Sequence, residues 1–376
     1  MLPDVIAALV AAEDYAAAED LHEQAIAEAS RLDDHTSLLR AEMAWTAADG
    51  IRDREGWRER GHLLALEAIE YFAERGDDSN LAQAWVLRAL TEVPTPARMI
   101  ESLRQAQRHA RLAGDERTQT EVWDDLGGAM IVGPTPFPEI AEVVRDESAW
   151  GRERGIVFAE ADGSLGEAYA QAALGEFDAA RAILERIRPL FAALPGRTSQ
   201  FGETLILEGQ IDRDAGEAHE AQEKFGLAMD FFGDIGNRTW WRGAAVMRAH
   251  ALLDLDRLDE AMDVLDQVAT TAFSRHPRTD SNELGARARV AARRGDVDGA
   301  VALARKGVGV ITGLESPQAE GRARELLGML LLENGDEEGA LAELQRAHEL
   351  YAMKAYRPGE RRVADVLEAR RTRAES

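Results

Sequence analysis

The sequence has 376 residues, enough for two or three ordinary globular domains or for one long repeat array, which lengthens without thickening its core. Hydrophobic residues make up 45% of it and aromatic residues 6%. This composition excludes wholesale disorder and, being rich in alanine, leucine, glutamate and arginine, favours helices over a large sheet. The formal net charge of −25 disfavours binding to nucleic acid or to anionic lipid.

The sequence contains no recognisable targeting or membrane segment. Its first residues lack the basic and apolar parts of a signal peptide. No later run approaches the roughly 18 apolar residues that are needed to span a bilayer. Cysteine is absent, which excludes disulfides and thiolate metal sites and suits a reducing compartment. We therefore expect a cytoplasmic protein that does not bind membranes.

An internal repeat with a period of about 40 residues runs along the chain. In its clearest unit, Gly328 lies seven residues before the turn glycine Gly335, and Ala340 lies five residues after it. In chain order, the turn positions are Glu13, Gly56, Pro94, Gly133, Gly175, Gly216, Asp256, Gly295 and Gly335. The last five lie 41, 40, 39 and 40 residues apart, and the earlier intervals vary between 38 and 43.

Each repeat predicts two antiparallel helices of about 15 residues, joined by a turn at which glycine supplies the left-handed conformation. Small residues on facing positions allow the two backbones to approach closely. Stacking then buries the face that a single hairpin would leave open. We predict an all-α, right-handed α-solenoid of about nine hairpins, forming a single domain over residues 1–376 with the first helices on its concave face.

Two segments depart from the regular pattern. Three prolines fall within residues 133–138, and Asp162 and Gly163 indicate another break, so we predict an irregular repeat with a longer loop around residues 133–163. Residues 358–376 predict a C-terminal helix or tail, whose cations suit the C-terminal end of the helix dipole. These cations are Arg361, Arg362, Arg370, Arg371 and Arg373.

Motifs of catalysis and of cofactor binding are missing. The sequence has neither a phosphate-binding G-x-x-x-x-G-K-[ST] loop nor an H-E-x-x-H zinc helix. The glycine-rich segment Gly307–Gly313 has the wrong spacing for a dinucleotide loop and falls inside a predicted second helix. The eight histidines are dispersed, and the acidic cluster of Glu121, Asp124 and Asp125 is typical of a solvated surface. We predict no enzyme activity, no cofactor and no metal.

The adjacent Trp240 and Trp241 form the candidate partner-binding site. Neighbouring helical residues point about 100° apart, so one buried stripe can hold only one of the two indoles. A large exposed aromatic side chain is a favoured binding anchor. Arg238 and Arg242 flank the pair and could complete a polar rim. Core packing is the favoured role for three tryptophans on predicted first helices: Trp45, Trp85 and Trp123.

The spacing of small, glycine and aromatic residues resembles tetratricopeptide repeats (TPRs), although the period exceeds that family's usual length of about 34 residues. The long form is similar to the C-terminal helical arrays of bacterial class III adenylate/guanylate cyclases fused to an AAA-type ATPase, and of LuxR-type ATPase regulators. The resemblance covers residues 50–370. It is carried by Ala68–Phe72, Ala110–Asp115, Gly133–Glu139 and Ala347–Tyr351, of which the proline-rich Gly133–Glu139 is the most specific.

This resemblance implies a non-catalytic scaffold or regulatory sensor of bacterial signalling that binds a protein or peptide. The cyclase and ATPase domains of that family have no counterpart in the sequence, so none of their catalytic residues can be assigned here. Two alternatives remain open: the C-terminal portion of a larger cyclase, ATPase or transcription regulator, and a sensor of a small ligand or peptide. The excess of carboxylates favours a basic partner.

Overall fold

The computed structural model describes residues 15–51, 56–92, 95–194, 199–270 and 276–375, together with Val5, Ile6 and Leu9. Within these residues the chain forms eighteen α-helices and no β-strand. The helices are α1 (Tyr15–Leu32), α2 (His35–Ile51), α3 (Trp57–Arg75), α4 (Asp78–Thr91), α5 (Pro96–Ala113), α6 (Glu116–Val132), α7 (Phe137–Arg154), α8 (Val157–Ala173), α9 (Phe177–Ala193), α10 (Ser199–Asp214), α11 (Ala218–Asp234), α12 (Arg238–Asp254), α13 (Leu258–Thr270), α14 (Pro277–Arg293), α15 (Val297–Ile311), α16 (Pro317–Glu333), α17 (Glu337–Lys354) and α18 (Arg357–Glu375).

The predicted all-α solenoid of TPR-like hairpins is confirmed. Five of the six predicted turn glycines adopt the left-handed conformation, Gly133 does not, and Asp256 takes it with a φ of 60°. The glycines are Gly56, Gly175, Gly216, Gly295 and Gly335. Two further turn positions, Glu13 and Pro94, lie outside the described residues. None of the described helices is long and apolar enough to cross a membrane.

The chain divides into two compact units, residues 1–129 and residues 130–376. The last three residues of α6 belong to the second unit. The expectation that residues 1–376 form a single domain is not tested by this division and stays a prediction.

The first unit is built from contacts between neighbouring repeats. Its helices bury a stripe of alanine and larger apolar side chains, which includes Ala65, Ala68 and Phe72. The Thr36 hydroxyl lies 3.1 Å from that of Tyr71, 35 residues further along the chain. A second bond across 35 residues joins the side chains of Gln83 and Thr118 at 2.7 Å. In the described part of this unit, each helix is therefore supported by those next to it in sequence.

The second unit winds back onto its own beginning. The buried Lys354, at the end of α17, donates from Nζ to the carbonyl oxygens of Met130 at 2.7 Å and Thr135 at 2.5 Å. The Ser316 hydroxyl donates to the carbonyl oxygen of Val132 at 2.8 Å. These bonds join residues that are 184 to 224 positions apart, about five repeats. The second unit is therefore a closed turn of the solenoid.

The longer loop expected around residues 133–163 is wrong. Only residues 133–136 separate α6 from α7, and α8 continues without a break through Asp162 and Gly163. A Cβ atom on Gly163 would lie 2.6 Å from the backbone nitrogen of Ser148 and from the carbonyl oxygen of Val144, both in α7. The glycine that suggested a break is thus the point where the backbones of α7 and α8 touch.

Other small residues behave as the repeat predicts. A Cβ on Gly328 would lie 3.2 Å from the carbonyl oxygen of Ala340, in the second helix of the same hairpin. Ala340 is fully buried. The predicted C-terminal helix forms as α18. Hairpin packing and the C-terminal element therefore follow from the sequence pattern.

Candidate functional site: the inner cavity of the second unit

A cavity of about 580 Å³ opens among the first helices of the hairpins in the second unit. Its wall is built mainly from α10, α12, α14 and α16, with Phe225 added by α11 and Arg362 by α18. Eight lining residues fall at two repeated positions, six and two residues before the turns at 216, 256, 295 and 335. They are Gln210, His250, Arg289 and Met329, and Asp214, Asp254, Arg293 and Glu333. The repeat therefore turns the same face of each first helix toward the cavity.

The charge of this wall differs from that of the whole chain. The wall carries five arginines and four carboxylates, a small local excess of positive charge in a protein with a net charge of −25. The arginines are Arg213, Arg289, Arg293, Arg322 and Arg362, and the carboxylates are Asp214, Asp254, Glu325 and Glu333. The cavity wall therefore lacks the excess of negative charge that favours a basic partner for the chain as a whole.

Asp254 lies between two arginines from the flanking helices. Arg213 donates from Nε to one carboxylate oxygen at 2.6 Å, and Arg289 donates from Nη2 to the other at 2.6 Å. Burial acts to raise the pKa of Asp254, but the charges of the two guanidiniums outweigh it and the pKa is lowered. The single negative charge of Asp254 therefore pairs with the two positive charges of Arg213 and Arg289.

His250 is adjacent to this ion pair and remains neutral. Its Nε2 lies 3.0 Å from the carbonyl oxygen of Asn282, and its Nδ1 lies 3.3 Å from Nη1 of Arg289. Because a carbonyl oxygen can only accept, Nε2 carries the proton and Nδ1 accepts. Burial, and then the charges of Arg213 and Arg289, lower the pKa of His250 to about 3. The imidazole therefore adds no charge at neutral pH.

A second polar network closes the wall where α18 meets α10. Arg362 binds both carboxylate oxygens of Glu325, at 3.0 and 3.2 Å, and donates to Asp214 at 3.3 Å. The buried Tyr356 hydroxyl also donates to Asp214, and it accepts from Arg322 at 3.0 Å. Asp214 and Arg362 are 148 residues apart. The network therefore fixes the last helix against the middle of the unit.

Between the two charged clusters the wall is apolar and carries amide groups. Met247, Leu326 and Met329 supply apolar surface, and the Met329 side chain is 39% exposed. Gln210 and Asn282 supply carboxamides, each of which can donate and accept a hydrogen bond, as a peptide group does. This combination suits a ligand with peptide groups, apolar side chains and an anionic group.

The predicted site residues Trp240 and Trp241 lie in the first turn of α12 and outside the cavity lining. Both indoles are half-buried against the same apolar cluster. Trp240 stacks on Phe232 with 5.7 Å between the ring centroids. The expected division into one buried and one exposed indole is therefore not what the structure has. The role of the pair as a partner anchor stays a prediction.

The two flanking arginines differ from each other. Arg238 is exposed, whereas Arg242 is buried and lies 2.7 Å from carboxylate oxygens of both Asp280 and Glu283, in α14. Burial favours the neutral guanidine, but these ion pairs outweigh it and raise the pKa of Arg242. Arg242 thus joins α12 to α14, and Arg238 alone is in the position expected of a polar rim.

Two further features of the sequence concern the binding of cofactors and metals. The Gly307–Gly313 segment lies within and just after α15, as predicted for a second helix. Among the described residues, no three histidine, aspartate or glutamate side chains are grouped so that they could hold a metal ion.

No family model matches the chain, and no curated protein matches it. Several solved structures match the chain. A Rap protein complexed with Competence and Sporulation Factor is 12% identical, with a TM-score of 0.67, over 94% of this chain and 97% of that one. The apo form of the quorum sensor NprR from B. thuringiensis is 12% identical, with a TM-score of 0.61, over 93% and 97%. A human IFIT1 dimer with PPP-AAAA is 13% identical, with a TM-score of 0.50, over 92% and 81%. The chain therefore has the fold of TPR-like helical repeat proteins along nearly its whole length.

Proposed function

We propose that this chain is a binding module and that the cavity of its second unit receives a peptide segment. The observation that carries the proposal is the wall itself, in which repeated positions of four first helices converge on one space of about 580 Å³. This volume falls in the range of about 300–1,000 Å³ that is typical of small-ligand sites. The wall offers apolar side chains, carboxamides and arginines, which together match the parts of a short peptide.

The ionisable groups of the cavity favour binding over catalysis. A general base or acid works best with a pKa near the operating pH. His250, with a pKa of about 3, is far below that range, and Asp254 has its pKa lowered further by two arginines. Neither group is poised to exchange a proton at neutral pH. This supports the proposal of a non-catalytic module without a cofactor.

The two structural neighbours support a sensing role. One was solved in complex with Competence and Sporulation Factor, and the other is a quorum sensor. We extend that use of the fold to this chain and propose a cytoplasmic sensor of bacterial signalling. The resemblance to cyclase-linked and LuxR-type arrays adds the proposal that it acts either alone or as the C-terminal part of a larger regulator.

The test is a selection of random linear peptides on the full chain, followed by measurement of their Kd. Met329→Trp places a bulky ring in the cavity, and it should weaken binding by about tenfold or more, the effect of losing roughly 1.4 kcal/mol. The matched control is Met353→Trp, because Met353 is 50% exposed on α17 and does not line the cavity. Equal effects of the two substitutions would reject the proposal. The charge of the selected peptides also tests the expected basic partner.

A further inference from the structure

We infer that the cavity binds its ligand through a carboxylate, at a site formed by Arg213, Arg289 and Arg293 around Asp254. This inference rests on the proposed function and adds the chemical class of the group that is recognised. The charges around Asp254 do not balance. Arg213 and Arg289 share the single carboxylate of Asp254, whereas Arg293 pairs with Asp256, whose side chain is 81% exposed. With His250 neutral, the inner wall keeps an uncompensated cation.

The helix dipoles offset part of this positive charge at two of the three arginines. Arg213 and Arg293 lie in the last turns of α10 and α14, where the helix dipole is negative and favours a cation. Arg289 lies one turn further in, and burial, more than any neighbouring charge, lowers its pKa. The charged guanidinium of Arg289 is therefore poorly solvated by water. A bound anion would replace that lost solvation.

The arginines of this cluster differ in the hydrogen-bond donors that they have left. Arg289 is occupied, since Nη2 donates to Asp254 and Nη1 to the carbonyl oxygen of His250 at 3.1 Å. Arg213 uses only Nε, and in the described part of the chain its two terminal nitrogens have no hydrogen-bond partner. Its side chain is half-buried in the wall of the cavity. Arg213 is thus the contact residue, and Arg289 positions Asp254 and supplies the field.

The site favours a carboxylate over a phosphate. A guanidinium presents two parallel N–H groups that match the two oxygens of a carboxylate. The excess of one cation balances one negative charge better than two. Met247, Leu326 and Met329 line the same space, so an apolar group next to the anion would also be accommodated. A peptide supplies this pair of groups at an apolar C-terminal residue, or at an acidic side chain with an apolar neighbour.

The probes are N-acetyl-leucine, N-acetyl-leucinamide and inorganic phosphate, titrated calorimetrically into the full chain. The acid and the amide have the same shape and differ in charge. A charge-assisted hydrogen bond corresponds to about a tenfold change in affinity or more, so the acid should bind at least tenfold more tightly than the amide. Phosphate should bind more weakly than the acid. For peptides from the selection, the free acid and the C-terminal amide distinguish a terminal carboxylate from a side-chain one.

Three variants locate the site. Arg213→Gln should lower the affinity for the acid about tenfold and leave the affinity for the amide unchanged. Arg346→Gln removes the same charge from an exposed position on α17, outside the cavity, and should change neither. Asp254→Asn should strengthen binding of the acid, because it removes the anion that competes for the two guanidiniums. A purely structural role for the cluster predicts the opposite sign.

Several results would overturn the inference. They are equal binding of acid and amide, no binding of the acid at millimolar concentration, an acid preference that survives in Arg213→Gln, and an equal loss in Arg346→Gln. Thermal melting of each variant shows whether it is folded, and Arg213→Lys keeps the charge if Arg213→Gln does not fold. The proposed function fails separately: selected peptides that ignore Met329→Trp reject the peptide-binding cavity even where the acid preference holds. Peptides that need the cavity but no carboxylate reject this inference alone.

Discussion

In the first unit, hydrogen bonds between side chains of different helices join residues no more than about one repeat apart, such as Gln83 and Thr118, among the residues described there. In the second unit, Tyr356 donates to Asp214 across 142 residues, and Lys354 reaches Met130 across 224. The hairpin is the same in both units. What differs is the return of the second unit onto itself, and first helices of that unit line a cavity of about 580 Å³.

This difference shows how a repeat protein acquires a site without a new element. In a nearest-neighbour array, stability is approximately a sum of repeats and of their interfaces. Closure adds contacts between repeats far apart in sequence, so the positions of α10, α16 and α18 become mutually dependent. A site whose residues come from six helices needs that dependence, because its geometry must not vary with the flexing of single interfaces.

The largest expected effect concerns Lys354, which holds the closure. Lys354→Met leaves the carbonyl oxygens of Met130 and Thr135 buried without their donor, and removes an amino group lying 4.7 Å from the centre of the Phe137 ring. We expect a loss of about 3 kcal/mol in the stability of the second unit. Hydrogen exchange of the full chain, read by mass spectrometry, should show faster exchange in residues 130–376 and unchanged exchange in residues 15–92.

The control for this substitution is Lys306→Met, which removes an exposed lysine from α15 in the same unit. It should leave exchange in both units as in the wild type. If Lys354→Met accelerates exchange equally in the two units, or not at all, closure by this side chain does not distinguish them.

The second prediction tests the feature that the two units share. Ala340→Leu should overpack the contact with Gly328 and cost about 2 kcal/mol in the second unit. The corresponding position of the first unit, five residues after the turn at Gly56, is Gly61, where a Cβ would lie 3.0 Å from the methyl groups of Thr46 and Thr91. Gly61→Leu should therefore destabilise the first unit by a similar amount.

An exposed substitution in the same helix, Ala352→Leu, is the matched control for Ala340→Leu and should be nearly neutral. Thermal melting measures the total loss, and hydrogen exchange assigns it to a unit. A melting temperature of Ala340→Leu equal to that of the wild type would contradict the repeat register on which both units are built.

The hairpins could be predicted from the sequence because their determinants are local. A turn glycine, a small residue seven positions before it and another five positions after it together define a close helix pair, and the structure has that pair at Gly328 and Ala340. The prediction of a break at Gly163 was wrong. This glycine lies within α8 and allows the backbones of α7 and α8 to touch. From sequence alone, a glycine that breaks a helix and one that permits close packing look alike.

The closure and the cavity could not be predicted because they depend on small rotations that accumulate over about five repeats. Nothing local to Lys354 indicates that it meets Met130. A signal for the cavity does exist, since residues six and two positions before the turns line it, and these include His250, Arg289 and Asp254. That periodicity becomes informative once the curvature of the unit is known. The adjacent Trp240 and Trp241, in contrast, can be recognised as a candidate binding site without knowledge of the curvature.

The third prediction is that acid shifts the two units in opposite directions. In the second unit, burial, followed by two nearby arginines, lowers the pKa of His250 to about 3. An unfolded histidine titrates near 6.5, so the unfolded state takes the proton first and stability falls between pH 7 and pH 5. In the first unit, Asp125 is not the solvated carboxylate expected from the sequence, because burial, followed by Asp124 and Glu121, raises its pKa to about 7. Its folded state takes the proton first, and stability rises over the same range.

We expect changes of about 1–2 kcal/mol for each group, because one pKa unit corresponds to about 1.4 kcal/mol and only part of each shift is titrated between pH 7 and pH 5. Hydrogen exchange at pH 7 and pH 5, corrected for intrinsic rates, reports the two units separately in one sample. His250→Gln should flatten the response of α12 and α14, and Asp125→Asn that of α6. Parallel movement of both units in the wild type would remove this distinction.

The smallest expected effect concerns the tryptophans, because each unit contains one that stacks on a ring of the preceding helix. Trp45 stacks on His22 with 4.9 Å between the ring centroids in the first unit, as Trp240 stacks on Phe232 in the second. If the cavity is the site, Trp240→Ala and Trp241→Ala should lower the melting temperature and change the Kd of a cavity-dependent peptide by less than about twofold, well below a hot-spot loss. Trp45→Ala should do the same. A hot spot at the pair would instead cost about 2 kcal/mol of binding, or roughly 30-fold, in one of the two variants. Because Met329→Trp should weaken the same binding by about tenfold or more, the two sets of variants place the partner either within the cavity or on the first turn of α12. The second result would make the tryptophan pair, and not the cavity, the binding site.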